Sequence, residues 1–109
     1  LSSPFLGDDV VDDIVEQGGI AAWSPPQPPS GKWQHRLWSW IKQYQTDPER
    51  FPPIFLGYAE KDVITGQGPA LLATALPEER VFSIPGDHDY PTFQAIWREQ
   101  VERLARHLK

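Results

Sequence analysis

PPIFLGYAEKDVIT, residues 52–65, contains the clearest strand signal in the chain. Its apolar run over 54–58 is typical of a strand buried on both faces, and the charged residues that follow indicate a loop. A second apolar run, RVFSIP at 80–85, comes after a short helix predicted over 68–79. An amphipathic helix predicted over 91–109 completes the series. Strand, helix, strand and helix in this order predict an α/β fold whose two strands are parallel.

Two residues that could carry chemistry, Asp62 and His88, follow these two predicted strands. Loops that leave the carboxyl ends of neighbouring parallel strands lie side by side, and ligands bind there in open α/β sheets. A carboxylate that is hydrogen-bonded to an imidazole fixes its tautomer and stabilises the imidazolium, which makes the histidine a general base. We therefore predict that Asp62 and His88 meet and form an acid–base pair.

The neighbouring acids offer alternatives for the same site. Glu60 is a rival for the role of the acid, but it comes earlier and fits a solvated turn position. Asp87 and Asp89 are most simply loop acids, although either could orient the histidine or set its pKa. A metal interpretation of the DHD run is weak because three consecutive side chains cannot easily turn towards one ion. We therefore expect no metal site.

No residue of the chain fits the role of a catalytic nucleophile. The sequence has no cysteine, and none of its serines lies in a G-x-S-x-G elbow, the sharp turn that exposes a nucleophilic hydroxyl. It also lacks a glycine-rich phosphate loop. An acid and a base are thus present without a group for them to activate.

The first half of the chain is predicted to contain two helices joined by a proline-rich connector. Residues 8–19 form a short helix with Asp8 as its N-cap, and residues 32–45 form an amphipathic helix. We interpret the connector at 23–31 as a stiff loop, with a polyproline ligand as the alternative, and His35 as a surface residue. The apolar stripe of the second helix is predicted to be core, or alternatively to line a substrate pocket; it comprises Trp33, Leu37, Trp40, Ile41 and Tyr44.

Composition excludes several classes of partner. The chain has 109 residues and a net charge of −5, and its basic residues are not clustered, so nucleic acid and anionic membranes are poor partners. No apolar run approaches the roughly 20 residues of a membrane span. The absence of cysteine excludes disulfides and thiolate metal sites. We expect neither a nucleic-acid nor a membrane partner, and a cytoplasmic location.

Two segments resemble the carboxyl-terminal part of the α/β-hydrolase fold. PPIFLGYAEKDVIT resembles the seventh strand and its acid loop; LPEERVFSIPGDHDYPTFQAIWREQV, 76–101, resembles the eighth strand, the histidine loop and the last helix. By position, Asp62 would be the acid of the catalytic triad and His88 its base. LSSPFLG, 1–7, resembles the segment that leaves the sixth strand, which places 8–50 where this family has its cap.

The resemblance implies that the chain is the carboxyl-terminal fragment of an esterase-like serine hydrolase. Residues 1–50 would hold the segment after the sixth strand and cap-like helices, and 51–109 the acid and histidine loops, within one partial domain. The implied substrate is a small ester-like molecule, cleaved with no cofactor. The nucleophile would lie upstream of Leu1, so the chain alone would be inactive.

The alternative hypothesis is a non-catalytic binding or assembly module. It would use an open strand edge or the Trp-rich helix at 33–44 to hold a partner. On either hypothesis, two parallel strands do not make a stable sheet by themselves. We therefore expect either the missing N-terminal half or a second copy of the chain, in a homo-oligomer, to cover the open edge.

Overall fold

The computed structural model describes residues 1–26 and 31–108. Most of the predicted polyproline segment, 27–30, lies outside these residues. Two short 3₁₀ turns, Pro48–Arg50 and Glu78–Arg80, precede the two strands. The helices and strands in chain order are α1 (Asp9–Glu16), α2 (Trp33–Thr46), β1 (Leu56–Ala59), α3 (Gly68–Ala73), β2 (Val81–Ile84) and α4 (Tyr90–His107).

The two strands form the predicted parallel pair, which confirms an α/β arrangement. Leu56 lies opposite Val81, and Ala59 lies opposite Ile84. β1 begins two residues later than predicted because the preceding peptide groups bond elsewhere. The N–H of Ile54 donates to the Tyr44 hydroxyl over 3.2 Å, outside the β1–β2 ladder.

Residues 1–3 add a parallel bridge on the other side of β1, a pairing that was not predicted from the sequence. Ser2 forms a parallel bridge with Gly57, whose carbonyl accepts from the Ser3 N–H over 2.8 Å and whose N–H donates to the Leu1 carbonyl over 2.9 Å. The Ser3 hydroxyl also accepts from the Ala59 N–H over 3.1 Å. β1 is therefore central, between residues 1–3 and β2.

The position of β2 corrects one prediction. The sequence predicts that both strands are buried on both faces, but within the described residues β2 lies at the edge of the sheet and is only half-buried. In β1, by contrast, Leu56 and Ala59 are buried. The apolar run predicts the strand, but the number of strands that pair with it depends on the rest of the sheet.

One hydrophobic core joins the two halves of the chain. α1 contributes Val10, Val11 and Ile14, while Val15, predicted on the same face, is exposed; Asp8 caps the helix by accepting the Asp9 N–H over 2.7 Å. The core residues contributed by the helices and by β1 include Val10, Val11, Ile14, Trp38, Ile41, Tyr44, Leu56, Leu71 and Leu72.

The buried face of α2 differs from the predicted stripe. Trp38, which lies outside that stripe, is fully buried, and its indole N–H donates to the Leu6 carbonyl over 2.8 Å. Trp33 and Trp40 are instead 52% and 37% exposed. His35 is partly buried rather than solvated, and its Nδ1 has no hydrogen-bond partner among the described residues.

α3 is shorter than predicted and ends at Ala73. The Thr74 hydroxyl donates to the Leu71 carbonyl over 2.7 Å at this end. Pro77 prevents the helix from continuing, because proline lacks an N–H and disfavours helical geometry at the residue before it. The prediction of a helix over 68–79 is therefore correct only for its first half.

α4 packs on the sheet through a small part of its apolar face. Ile96 is fully buried. It approaches Gly57, where an added Cβ would lie 2.8 Å from Ile96 Cγ2 and 2.4 Å from Phe82 Cζ. Of the other apolar residues predicted on this face, Phe93 is partly buried, and Trp97, Val101, Leu104 and Leu108 are exposed.

Across 1–26 and 31–108, each helix is too short or too polar to cross a bilayer.

Candidate acid–base site

The sheet brings the two predicted loops together. After β1 ends at Ala59, the Glu60 N–H donates to the Ile84 carbonyl over 2.9 Å, and the Lys61 N–H donates to the Gly86 carbonyl over 3.0 Å. The parallel ladder therefore extends past the formal ends of both strands. Both loops leave the sheet at the same edge, as the sequence predicts.

A tight turn holds Asp62 in place. Its Oδ1 accepts from the N–H groups of Ile64 and Thr65, each over 3.0 Å. The Asp62 carbonyl accepts from the Gly66 N–H over 3.1 Å, and Gly66 has a φ of 58°, which favours glycine. The Asp62 side chain is 1% exposed. One carboxylate oxygen is thus used by the backbone, and the other is available to a partner.

That partner is His88. Its Nδ1 lies 2.7 Å from Asp62 Oδ2, and its side chain is one-third exposed. The two residues are 26 positions apart in sequence. The expected meeting of Asp62 and His88 is therefore observed, while their catalytic role stays a prediction.

The charge of Asp62 determines the tautomer of His88. Burial acts to raise the pKa of Asp62, but the hydrogen bonds from His88 and Thr65 outweigh it and leave the pKa below its usual value. Asp62 is therefore an ionised carboxylate at neutral pH, which can only accept hydrogen bonds. Nδ1 of His88 must then carry a proton, so in the neutral imidazole Nε2 keeps its lone pair. No described residue hydrogen-bonds Nε2.

The acids beside the histidine have other partners. The Asp89 carboxylate caps α4 by accepting the Thr92 N–H over 2.9 Å, and hydrogen bonds with the side chain and the backbone of Thr92 lower the pKa of Asp89. Asp87 is exposed, and its carbonyl accepts from the Asp89 N–H over 3.0 Å. Glu60, the rival acid, accepts from the Ser83 hydroxyl over 3.0 Å. Asp62 is the acid that contacts the imidazole.

Two residues at the site were not predicted as site residues. Thr65 is buried and closes the turn around Asp62, and an aspartate followed three residues later by threonine could have indicated this turn. Phe93 meets the His88 ring edge to face, with centroids 4.7 Å apart. This second contact depends on the angle between α4 and the sheet, so no local pattern predicts it.

A metal ion has no evident site in the described part of the chain. Across residues 1–26 and 31–108, no three His, Cys, Asp or Glu side chains are grouped closely enough to hold one.

Comparisons with known proteins do not assign this site to a family. No protein-family model, no curated protein and no solved structure shows a significant similarity to this chain.

Proposed function

We propose that these residues form the acid- and base-bearing part of a serine hydrolase that acts on carboxylic esters or related acyl bonds. The observation that supports the proposal is the contact of 2.7 Å between the buried carboxylate of Asp62 and Nδ1 of His88, whose side chain is one-third exposed. A buried carboxylate that orients a histidine with a free second nitrogen is the arrangement on which general-base catalysis depends.

In the proposed reaction, Nε2 of His88 takes the proton of a serine hydroxyl as the serine oxygen attacks the acyl carbon. The bond between that carbon and the leaving group breaks, and the imidazolium returns the proton to the leaving group. Water then repeats the cycle to release the acid and free the serine. Asp62 holds the imidazole and stabilises its positive charge in both halves.

We expect the serine to come from outside these 109 residues. Among the described residues, the serine hydroxyls with assigned partners bond away from His88: Ser83 donates to Glu60, Ser39 donates to the His35 carbonyl, Ser2 donates to Gln100, and Ser3 accepts from Ala59. We therefore expect the chain by itself to hydrolyse no ester.

The first test is labelling with a fluorophosphonate, which reacts with activated serines. The protein is isolated from its source with an antibody against α4 and treated with the reagent, and the mass of the labelled species and peptide is measured. We expect one label, on a serine outside these residues. His88→Ala should slow labelling about 10²- to 10⁴-fold, the usual contribution of a general base.

Two results would contradict the proposal. The first is a protein of the mass of this chain that takes no label. The second is labelling at an unchanged rate in His88→Ala. Ester hydrolysis by the 109-residue chain that disappears in His88→Ala would instead contradict only the outside origin of the nucleophile. Asp87→Ala, which alters an exposed acid beside the histidine, is the matched control.

A binding or assembly module is the second candidate function. The exposed apolar side chains of α4 favour it, with Trp97 65% and Val101 46% exposed. A module of this kind should keep its partner when His88 or Asp62 is replaced by alanine, apart from changes in stability. If these variants lose serine labelling but still bind the partner, labelling and partner binding depend on different residues.

A further inference from the structure

The hydrogen bond between Asp62 and His88 leaves one motion of the imidazole free. It fixes the distance between Nδ1 and Oδ2 at 2.7 Å. The ring can still turn through coupled changes of its two side-chain torsions, because the second torsion has a broad energy minimum and a hydrogen bond tolerates some bending. Such a turn swings Nε2 through an arc. A general base must keep Nε2 within hydrogen-bond reach of the proton that it takes, so a second contact is needed.

The ring of Phe93 is placed to supply this contact. The centroids of the Phe93 and His88 rings are 4.7 Å apart, and the ring planes meet at 87°. Edge-to-face geometry is a preferred arrangement of aromatic pairs, because the positive edge of one ring meets the negative face of the other. Rotation of the imidazole would move it out of this arrangement. The contact therefore restrains the orientation of the ring plane, which the hydrogen bond alone fixes only loosely.

Phe93 is itself held by the start of α4. Its N–H donates to the Asp89 carbonyl over 3.0 Å, and the Asp89 carboxylate caps the same turn through the Thr92 N–H. One turn further along, Ile96 is fully buried against the sheet. Groups on a rigid element position a functional side chain more accurately than groups on a loop.

We propose that Phe93 is a positioning residue for His88, whose ring sets the plane of the imidazole and hence the direction of Nε2. The inference rests on the proposed function, since the direction of Nε2 matters only if it takes a proton. Its structural part can nevertheless be measured without turnover.

The test is NMR relaxation of the ring C–H groups of His88 in the 109-residue chain. The wild-type ring should have an order parameter near the roughly 0.85 of rigid groups, and Phe93→Leu should lower it below about 0.6. The Nδ1–H resonance that reports the bond to Asp62 should persist in this variant. Phe93→Tyr, which keeps the aromatic ring, should restore the rigid value.

Trp97→Leu is the control for a general loosening of α4, because Trp97 lies on the same helix and is largely exposed. It should leave the His88 ring rigid. If Phe93→Leu does not fold, Phe93→Met offers a second aliphatic side chain of similar size. An unchanged order parameter in the aliphatic variant would overturn the proposal, as would an equal decrease in the leucine and tyrosine variants.

Failure of this inference differs from failure of the proposed function. A mobile His88 ring in Phe93→Leu supports positioning even if no serine is ever labelled. Suppose instead that serine labelling requires His88 but the His88 ring stays rigid in Phe93→Leu. This result would support the hydrolase and would contradict the positioning role of Phe93.

Discussion

Asp62 uses its two carboxylate oxygens for different tasks. Oδ1 accepts from backbone N–H groups within its own turn, and Oδ2 accepts from His88 across the sheet edge. The first task is local and would form in any sequence with this turn. The second links two loops and depends on the pairing of β1 with β2. Asp62 therefore connects local folding to the geometry of the candidate site.

The lowered pKa of Asp62 predicts acid sensitivity. Its folded pKa lies below the unfolded value of 3.8, so between the two values the unfolded chain binds more protons. The stabilisation from Asp62 is complete above the unfolded pKa and is lost as the pH falls through the folded pKa. We expect the urea midpoint of the wild type to fall in this range and that of Asp62→Asn to fall less steeply.

The matched control for this experiment is Asp89→Asn. The hydrogen bonds from Thr92 also lower the pKa of Asp89. This variant should therefore also make the urea midpoint fall less steeply at low pH, but through the cap of α4 and with the His88 contact intact. Equal acid limbs for the wild type and Asp62→Asn would contradict the prediction.

At the scale of elements, Gly86 forms the junction between β2 and the histidine loop. It has a φ of 143°, and a Cβ added there would lie 2.6 Å from Thr92 Oγ1 and 2.9 Å from its Cγ2. Two separate effects thus favour glycine, the backbone conformation and the close approach of α4. The spacing between β2 and α4, and with it the position of His88, depends on this residue.

Gly86→Ala should therefore destabilise the fold by more than the backbone conformation alone would. Gly19→Ala is the matched control, because Gly19 has a φ of 113° with nothing within 4 Å of an added Cβ. We expect about 1–2 kcal/mol of lost unfolding free energy for Gly19→Ala. Gly86→Ala should lose at least about 1 kcal/mol more through overpacking. Urea unfolding measures both values, and similar losses would contradict the role of the Thr92 contact.

The elements show how much the sequence predicts. The cap of α1 at Asp8 and the two apolar runs are local signals, and the structure confirms the elements that they indicate. The Asp62–His88 contact follows from strand order, so the sequence predicts it as well. The buried face of α2 could not be predicted from the sequence, because aromatic residues lie around much of this helix. Trp38 is the one whose indole N–H donates to the Leu6 carbonyl, a contact that depends on the tertiary fold. The segment at 1–3 is too short to show any periodicity.

The whole molecule leaves much apolar surface uncovered on one side. Leu1, Trp97, Val101 and Leu104 are each about half exposed or more, and with Pro53 and Phe55 they line one groove. The peptide groups of Ser2 face away from β1, because the groups that face β1 belong to Leu1 and Ser3. An open strand edge thus lies beside an apolar helix face, and both features favour association.

We therefore expect the chain to sediment as a species heavier than the monomer. Val101→Lys should shift it towards the monomer, because a lysine in the groove is costly to bury. Ala95→Lys, which adds the same charge at an exposed position on a different side of α4, should not. A wild-type chain that is monomeric and unfolds cooperatively would contradict the expectation.

The contacts of residues 1–3 also impose an order on folding during synthesis. The Ser2 hydroxyl donates to Gln100 over 2.7 Å, and Gln100 also donates to the Leu1 carbonyl, so residues 1–3 are held by a helix that is synthesised much later. Their separation of 98 residues corresponds to roughly 5–20 s of translation at typical rates. During that time residues 1–3 lack their contacts with α4, and a chaperone or another part of the nascent polypeptide has its best opportunity to bind them.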